Sequence, residues 1–133
     1  MNIYDMFRTD AGLEKSGVWL DYGPFRILVA RAGGSNIAFQ RILAAKLKPY
    51  RRQIEMGTMD EEQAKRLLAE TYAESVVLDW EGVTDETGTP LEFSKDNVVK
   101  ILIDLPDLFR DIQDQAGSLS VFRAQEVQEV AKN

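Results

Sequence analysis

The sequence predicts a predominantly helical α+β fold: a small N-terminal β-hairpin, then four to five helices, with a short turn or hairpin excursion near residues 80–93. Three observations carry that expectation. "GVWLDYGPFRILVARA" (residues 17–32) alternates apolar and polar side chains on both sides of Gly23-Pro24, as two short strands do. Several later stretches repeat apolar residues every three or four positions, which marks one face of a helix. Between two of these lies "LDWEGVTDETGTPLEFS" (residues 78–94), where two Gly, one Pro and a crowd of acids interrupt the helical pattern.

Taken in order, residues 1–15 form a polar lead-in with a few apolar anchors: Ile3, Tyr4, Phe7 and Leu13. Val18, Leu20 and Tyr22 share one face of the first strand, and Phe25, Ile27 and Val29 one face of the second. "GGSN" then punctuates the chain, with Ser35 or Asn36 placed to cap a helix. Phe39, Leu43, Leu47, Tyr50 and Ile54 line one side of that helix, and Pro49 predicts a kink or break within it. "TMDEEQAKRLLAETYAESVVLDW" reads as one long helix. Thr58 with Glu61, or Asp60 with Gln63, caps its start, and Ala64, Leu68, Tyr72 and Val76 form its stripe. "SKDNVVKILIDL" follows with Ser94 as cap and Val98, Ile101, Leu102 and Leu105 facing inward. Pro106 suits the first turn of a further helix, with Leu108, Phe109 and Ile112 turned to the core. Residues 118–133 read as a weaker terminal helix or flexible tail carrying Leu119, Phe122, Val127 and Val130. The whole chain, 1–133, reads as a single domain.

Composition narrows the function classes. The chain has 133 residues, 44% of them hydrophobic and 29% charged, which is ordinary for a globular domain and too apolar for wholesale disorder. No apolar run approaches the roughly 18 residues that span a bilayer. "MNIYDMFRTDAG" lacks the basic and apolar regions of a signal peptide, so a cytoplasmic location is expected. The absence of Cys removes disulfides and thiolates, and the absence of His removes the side chain that most readily moves protons near neutral pH. These absences weigh against an enzyme, and no cofactor or metal is expected.

Charge is unevenly spread. Residues 1–52 hold 9 basic and 4 acidic side chains (+5), and residues 53–133 hold 7 basic and 18 acidic (−11), together giving the net −6. Two such poles either meet within one fold or offer a basic face to a partner. Arg41, Lys46, Lys48, Arg51 and Arg52 form a basic run with no acid inside it. With Tyr50 as the sole nearby aromatic and a negative net charge, nucleic acid is not expected there; a solvated helix face or an acidic protein partner is. Asp79, Glu81, Asp85 and Glu86 lack the alternating spacing of a calcium loop, and "DETGTP" reads as a turn. The pairs Asp104/Asp107 and Asp111/Asp114 have helical spacing, and a solvated face accounts for them better than acid–base chemistry.

Three stretches in this order resemble the tail assembly chaperones of long-tailed bacteriophages, including prophage-borne versions. They are "GVWLDYGPFRILVARAGGSNIAF", "VVLDWEGVTDETGTPLEFS" and "NVVKILIDLPDLFRDIQDQA", covering roughly residues 16–117. The resemblance implies that residues 78–94 are a structural corner. It also implies a non-enzymatic protein that binds the tape measure protein, keeps its apolar helices soluble and helps recruit tail tube protein. Such a protein acts in the host bacterial cytoplasm and is absent from the mature virion. The family is often made in two forms, the longer by ribosomal frameshifting; the terminal "AKN" is compatible with a slippery A-AAA-AAC heptamer. A holdase offers many modest contacts, and the two charge poles suit self-association into a homo-oligomer. Leu105, Leu108, Phe109 and Phe122 are candidates for a client or self-contact face, with the domain core as their alternative role. Lys48, Arg51 and Arg52 are candidates for contact with an acidic protein. The runner-up is a non-catalytic adaptor or scaffold of another phage or bacterial assembly.

Overall fold

A computed structural model describes residues 2–123. The fold is α+β, as expected, with the β-hairpin near the N-terminus. Two short helices precede it, α1 (Ile3–Phe7) and α2 (Ala11–Ser16), where the sequence reads only as a polar lead-in. Each is built by a local cap. The Asn2 side chain accepts from the Asp5 backbone N–H, and Asp10 accepts from Gly12 and Leu13.

Strands β1 (Val18–Asp21) and β2 (Arg26–Val29) form the expected hairpin. The turn is held by the Tyr22 N–H donating to the Phe25 carbonyl at 3.0 Å and by Tyr22–Phe25 ring stacking at 5.0 Å. A third strand, β3 (Val77–Glu81), pairs antiparallel with β2, so the sheet order is β1-β2-β3. This corrects the long-helix expectation. Helix α5 (Glu61–Ser75) stops before Val77, and the following residues pair with the hairpin instead. Val77 lies opposite Val29, and Trp80 opposite Ile27. The β-branched and aromatic side chains suit that pleated surface, and burial beside Leu20, Ile27 and Val29 outweighs continuation of the helix.

Helix α3 (Ile37–Leu47) bends at Pro49 through one 3₁₀ turn (Lys48–Tyr50) into the short α4 (Arg51–Met56). Asp60, not Thr58, caps α5, accepting from the Gln63 N–H at 3.3 Å. Ser94 caps α6 (Lys95–Asp104) as expected, and Pro106 opens α7 (Pro106–Ala116). Of the terminal segment, Leu119–Phe122 forms a 3₁₀ turn; the rest of the expected terminal helix, with Val127 and Val130, lies outside the described residues.

One apolar cluster joins the inner face of the sheet to α5, α6 and α7. Val29, Val76, Ile112 and Phe122 are fully buried in it, and Tyr72 meets Phe39 and Phe109 edge-on at 5.5 and 5.2 Å. Inside α5, the buried Thr71 and Ser75 hydroxyls donate to the carbonyls one turn back, which satisfies both without a partner helix.

The excursion after β3 is a structural corner. The Trp80 indole N–H donates to the Leu91 carbonyl at 3.0 Å, and its ring meets Phe93 edge-on. The Asp85 carboxylate accepts from the Thr87 hydroxyl and from the Thr87 and Thr89 N–H groups. Those bonds hold it below the usual carboxylate range, the Thr87 hydroxyl foremost. Gly82 lets the chain leave the sheet: its φ is +79°, and a Cβ there would stand 2.6 Å from the Pro24 carbonyl oxygen.

Candidate protein-interaction surface

Two helices, α1 and α4, pack no side chain against the core cluster and carry exposed apolar side chains. On α1, Ile3, Tyr4, Met6 and Phe7 are 44–68% exposed. On α4, Ile54 is 45% and Met56 67% exposed. Ordinary surfaces scatter single apolar groups; here they gather on two peripheral turns.

The α3–α4 bend holds the more developed feature. Ala44, Leu47, Lys48, Arg51, Ile54 and Glu55 line a shallow groove of about 380 Å³. The bend is fixed to the body from behind. The Gln63 side chain donates to the Tyr50 hydroxyl at 3.1 Å, and Lys46 pairs with Glu74 at 2.6 Å. Lys95 of α6 also reaches Glu74, at 3.1 Å, so a single carboxylate ties α3, α5 and α6 together. Partial burial acts to raise the Glu74 carboxyl, but the two lysines hold it below its ordinary value. Arg41, Lys48, Arg51 and Arg52 are exposed and make no ion pair among the described residues.

The other sequence candidates separate. Phe109 and Phe122, at 3% and 0% exposure, belong to the core. Leu108 is half-buried against it, and Leu105, expected to face inward, lies 48% exposed at the α6–α7 corner. That corner turns it outward because the helix ends at Asp104 and Pro106 starts a new axis. Its acids pair locally: Asp104 with Lys100 at 3.0 Å and Asp107 with Arg110 at 3.8 Å. Asp111 accepts from the Tyr22 hydroxyl at 2.6 Å and from Gln115. Burial and that carboxylate raise the Tyr22 hydroxyl well above its usual range.

Sequence reasoning missed a buried ion pair at the N-terminal side. Glu14 of α2 is 2% exposed, and Arg31 donates to it at 2.7 Å. The Ser35 N–H adds a bond at 3.3 Å, and Gly34 passes so close that a Cβ there would collide with the carboxylate. Burial acts to raise this carboxyl; bonds from Arg31, Ser35 and Thr9 outweigh it and hold it below its ordinary value. Asn36, expected as a cap, instead turns inward. Its amide donates to the Arg31 and Ser75 carbonyls, each at 2.9 Å.

Among the described residues no helix is long and apolar enough to cross a membrane. No curated protein and no solved structure matches the chain. The model of the YdaY prophage protein family matches residues 33–133, from the glycine turn before α3 through α7 and beyond. The match takes in the α3–α4 groove, the Glu74 tie, β3 and the Trp80 corner, and leaves α1, α2 and the β1–β2 hairpin outside. Because that match covers most of the chain, this protein belongs to the YdaY prophage protein family.

Proposed function

We propose that this prophage protein is a non-catalytic tail assembly chaperone. It binds the tape measure protein, keeps that protein's apolar helices soluble and helps recruit tail tube subunits. The observation that carries the reading is the display of apolar side chains on α1 and α4, helices that give nothing to the core. A holdase needs apolar contact that is modest at each point and releasable, and shallow exposed patches supply it. Prophage membership and the sequence resemblance support the same reading. On this reading the protein acts in the host bacterial cytoplasm, performs no bond-making and leaves before the virion matures.

Co-expression with the tape measure protein of the same prophage is the test. The tape measure protein is expected in the soluble fraction, bound to this chain, and in inclusion bodies without it. If it is equally soluble or equally insoluble in both cultures, the chaperone reading is wrong. Co-purification with a different phage component, while the tape measure protein stays insoluble, would make the chain an adaptor.

A further inference from the structure

We infer that the groove at the α3–α4 bend is the docking site for an amphipathic helix whose apolar stripe is flanked by carboxylates. The groove has an apolar floor from Ala44, Leu47 and Ile54. Lys48 and Arg51 stand among its lining, with Arg52 next along α4 and Arg41 one turn back on α3. Five cations and one acid, Glu55, lie within residues 37–56, and only Lys46 of the five is spent on an ion pair within the described chain. A ligand that satisfies both elements is apolar along its centre and negative along its sides. A helix with apolar anchors at i, i+3 and i+4 and acids beside them has that form.

Two other occupants fit less well. Among the described residues a second copy of this chain offers the exposed corner at Leu105, where Asp104 and Asp107 already meet Lys100 and Arg110, and α1, whose one acid, Asp5, already accepts from the Asn2 N–H. Nucleic acid would meet the cations, yet the groove lining supplies no aromatic platform for bases and includes the Glu55 carboxylate. The inference rests on the chaperone reading only for the identity of the client; the docking chemistry stands on the groove itself.

Two labelled synthetic helices test it, identical along a leucine stripe and flanked by glutamate in one and by lysine in the other. Fluorescence anisotropy with the full-length protein is expected to show the glutamate helix binding at least about tenfold more tightly, with the gap shrinking as salt rises. The double variant Arg51→Glu, Arg52→Glu should invert that preference, and Ile54→Gln should weaken both helices. Both arginines are exposed and unpaired among the described residues, so the double variant should melt like the parent protein.

Equal binding of the two helices, binding of neither, or an unchanged preference in the double variant overturns the inference. So does tighter binding of a single-stranded oligonucleotide than of the glutamate helix, or a dimer, seen by light scattering, that the double variant breaks. The two proposals fail separately. If the double variant still keeps the tape measure protein soluble, the groove is not the client site although the chaperone reading survives. If the glutamate helix binds as expected but the tape measure protein is never rescued, the groove stands and the chaperone reading does not.

Discussion

Glu14 shows how one residue can bind two parts of the chain. Its carboxylate lies at 2% exposure between Arg31 and the Ser35 N–H, so α2 cannot leave the β2–α3 loop without stranding a buried charge. Glu14→Gln keeps the shape and removes the charge. We expect it to lower the unfolding free energy by about 3 kcal/mol, read from denaturant midpoints at neutral pH. The sign with pH follows from the lowered carboxyl. In the parent, this stabilisation is fully present above the ordinary value of 4.5 and is lost as pH falls through the lower folded value. The difference between parent and variant should therefore shrink on acidification below about pH 4.5. A gap that widens in acid would refute this account. None of it was legible in the sequence. An acid in a polar lead-in carries no sign that Arg31 and Ser35, far along the chain, will enclose it. Asn36 misled for a related reason: its place before a helix suggests a cap, while its carbonyl partner at Ser75 is supplied only by tertiary packing.

At the level of elements, legibility tracks the range of the forces. The hairpin was readable because alternation around Gly23-Pro24 is local, and the break at Pro49 because a missing N–H is a property of one residue. The cap at Ser94 was readable for the same reason, whereas at the start of α5 the spacing left Thr58 and Asp60 both open. The end of α5 was not, because Val77–Glu81 becomes a strand only when β2 is beside it. The basic run was legible as composition, but the groove it borders needed the bend to form. Glu74 is the tie that holds this arrangement, with Lys46 at 2.6 Å and Lys95 at 3.1 Å from two other helices. Replacing it with Gln should cost about 1 kcal/mol, since the pairs are partly solvated. Hydrogen exchange should quicken most in α3, and the loss should be smaller in high salt. An unchanged exchange pattern would mean that α3 is held by its apolar contacts alone.

For the whole molecule, the core and the displayed apolar surface are built from different residues. The cluster around Val29, Val76, Ile112 and Phe122 closes without any side chain from α1 or α4. The double substitution Ile3→Ser, Phe7→Ser should accordingly shift stability by no more than about 0.5 kcal/mol by thermal melting. A large fall in melting temperature would show that α1 is part of the fold. The N-terminal stretch is nevertheless tied down just after α1. Thr9 bridges Arg123, and the Asp10 N–H donates to the Phe122 carbonyl at 2.8 Å. An exposed turn at residues 84–90 lies between those clasped segments in the chain. A single protease nick in that turn would therefore yield two pieces, one carrying the whole sheet with Thr9 and Asp10 and the other α6, α7, Phe122 and Arg123, interlocked through the clasp and the shared core as a complemented whole.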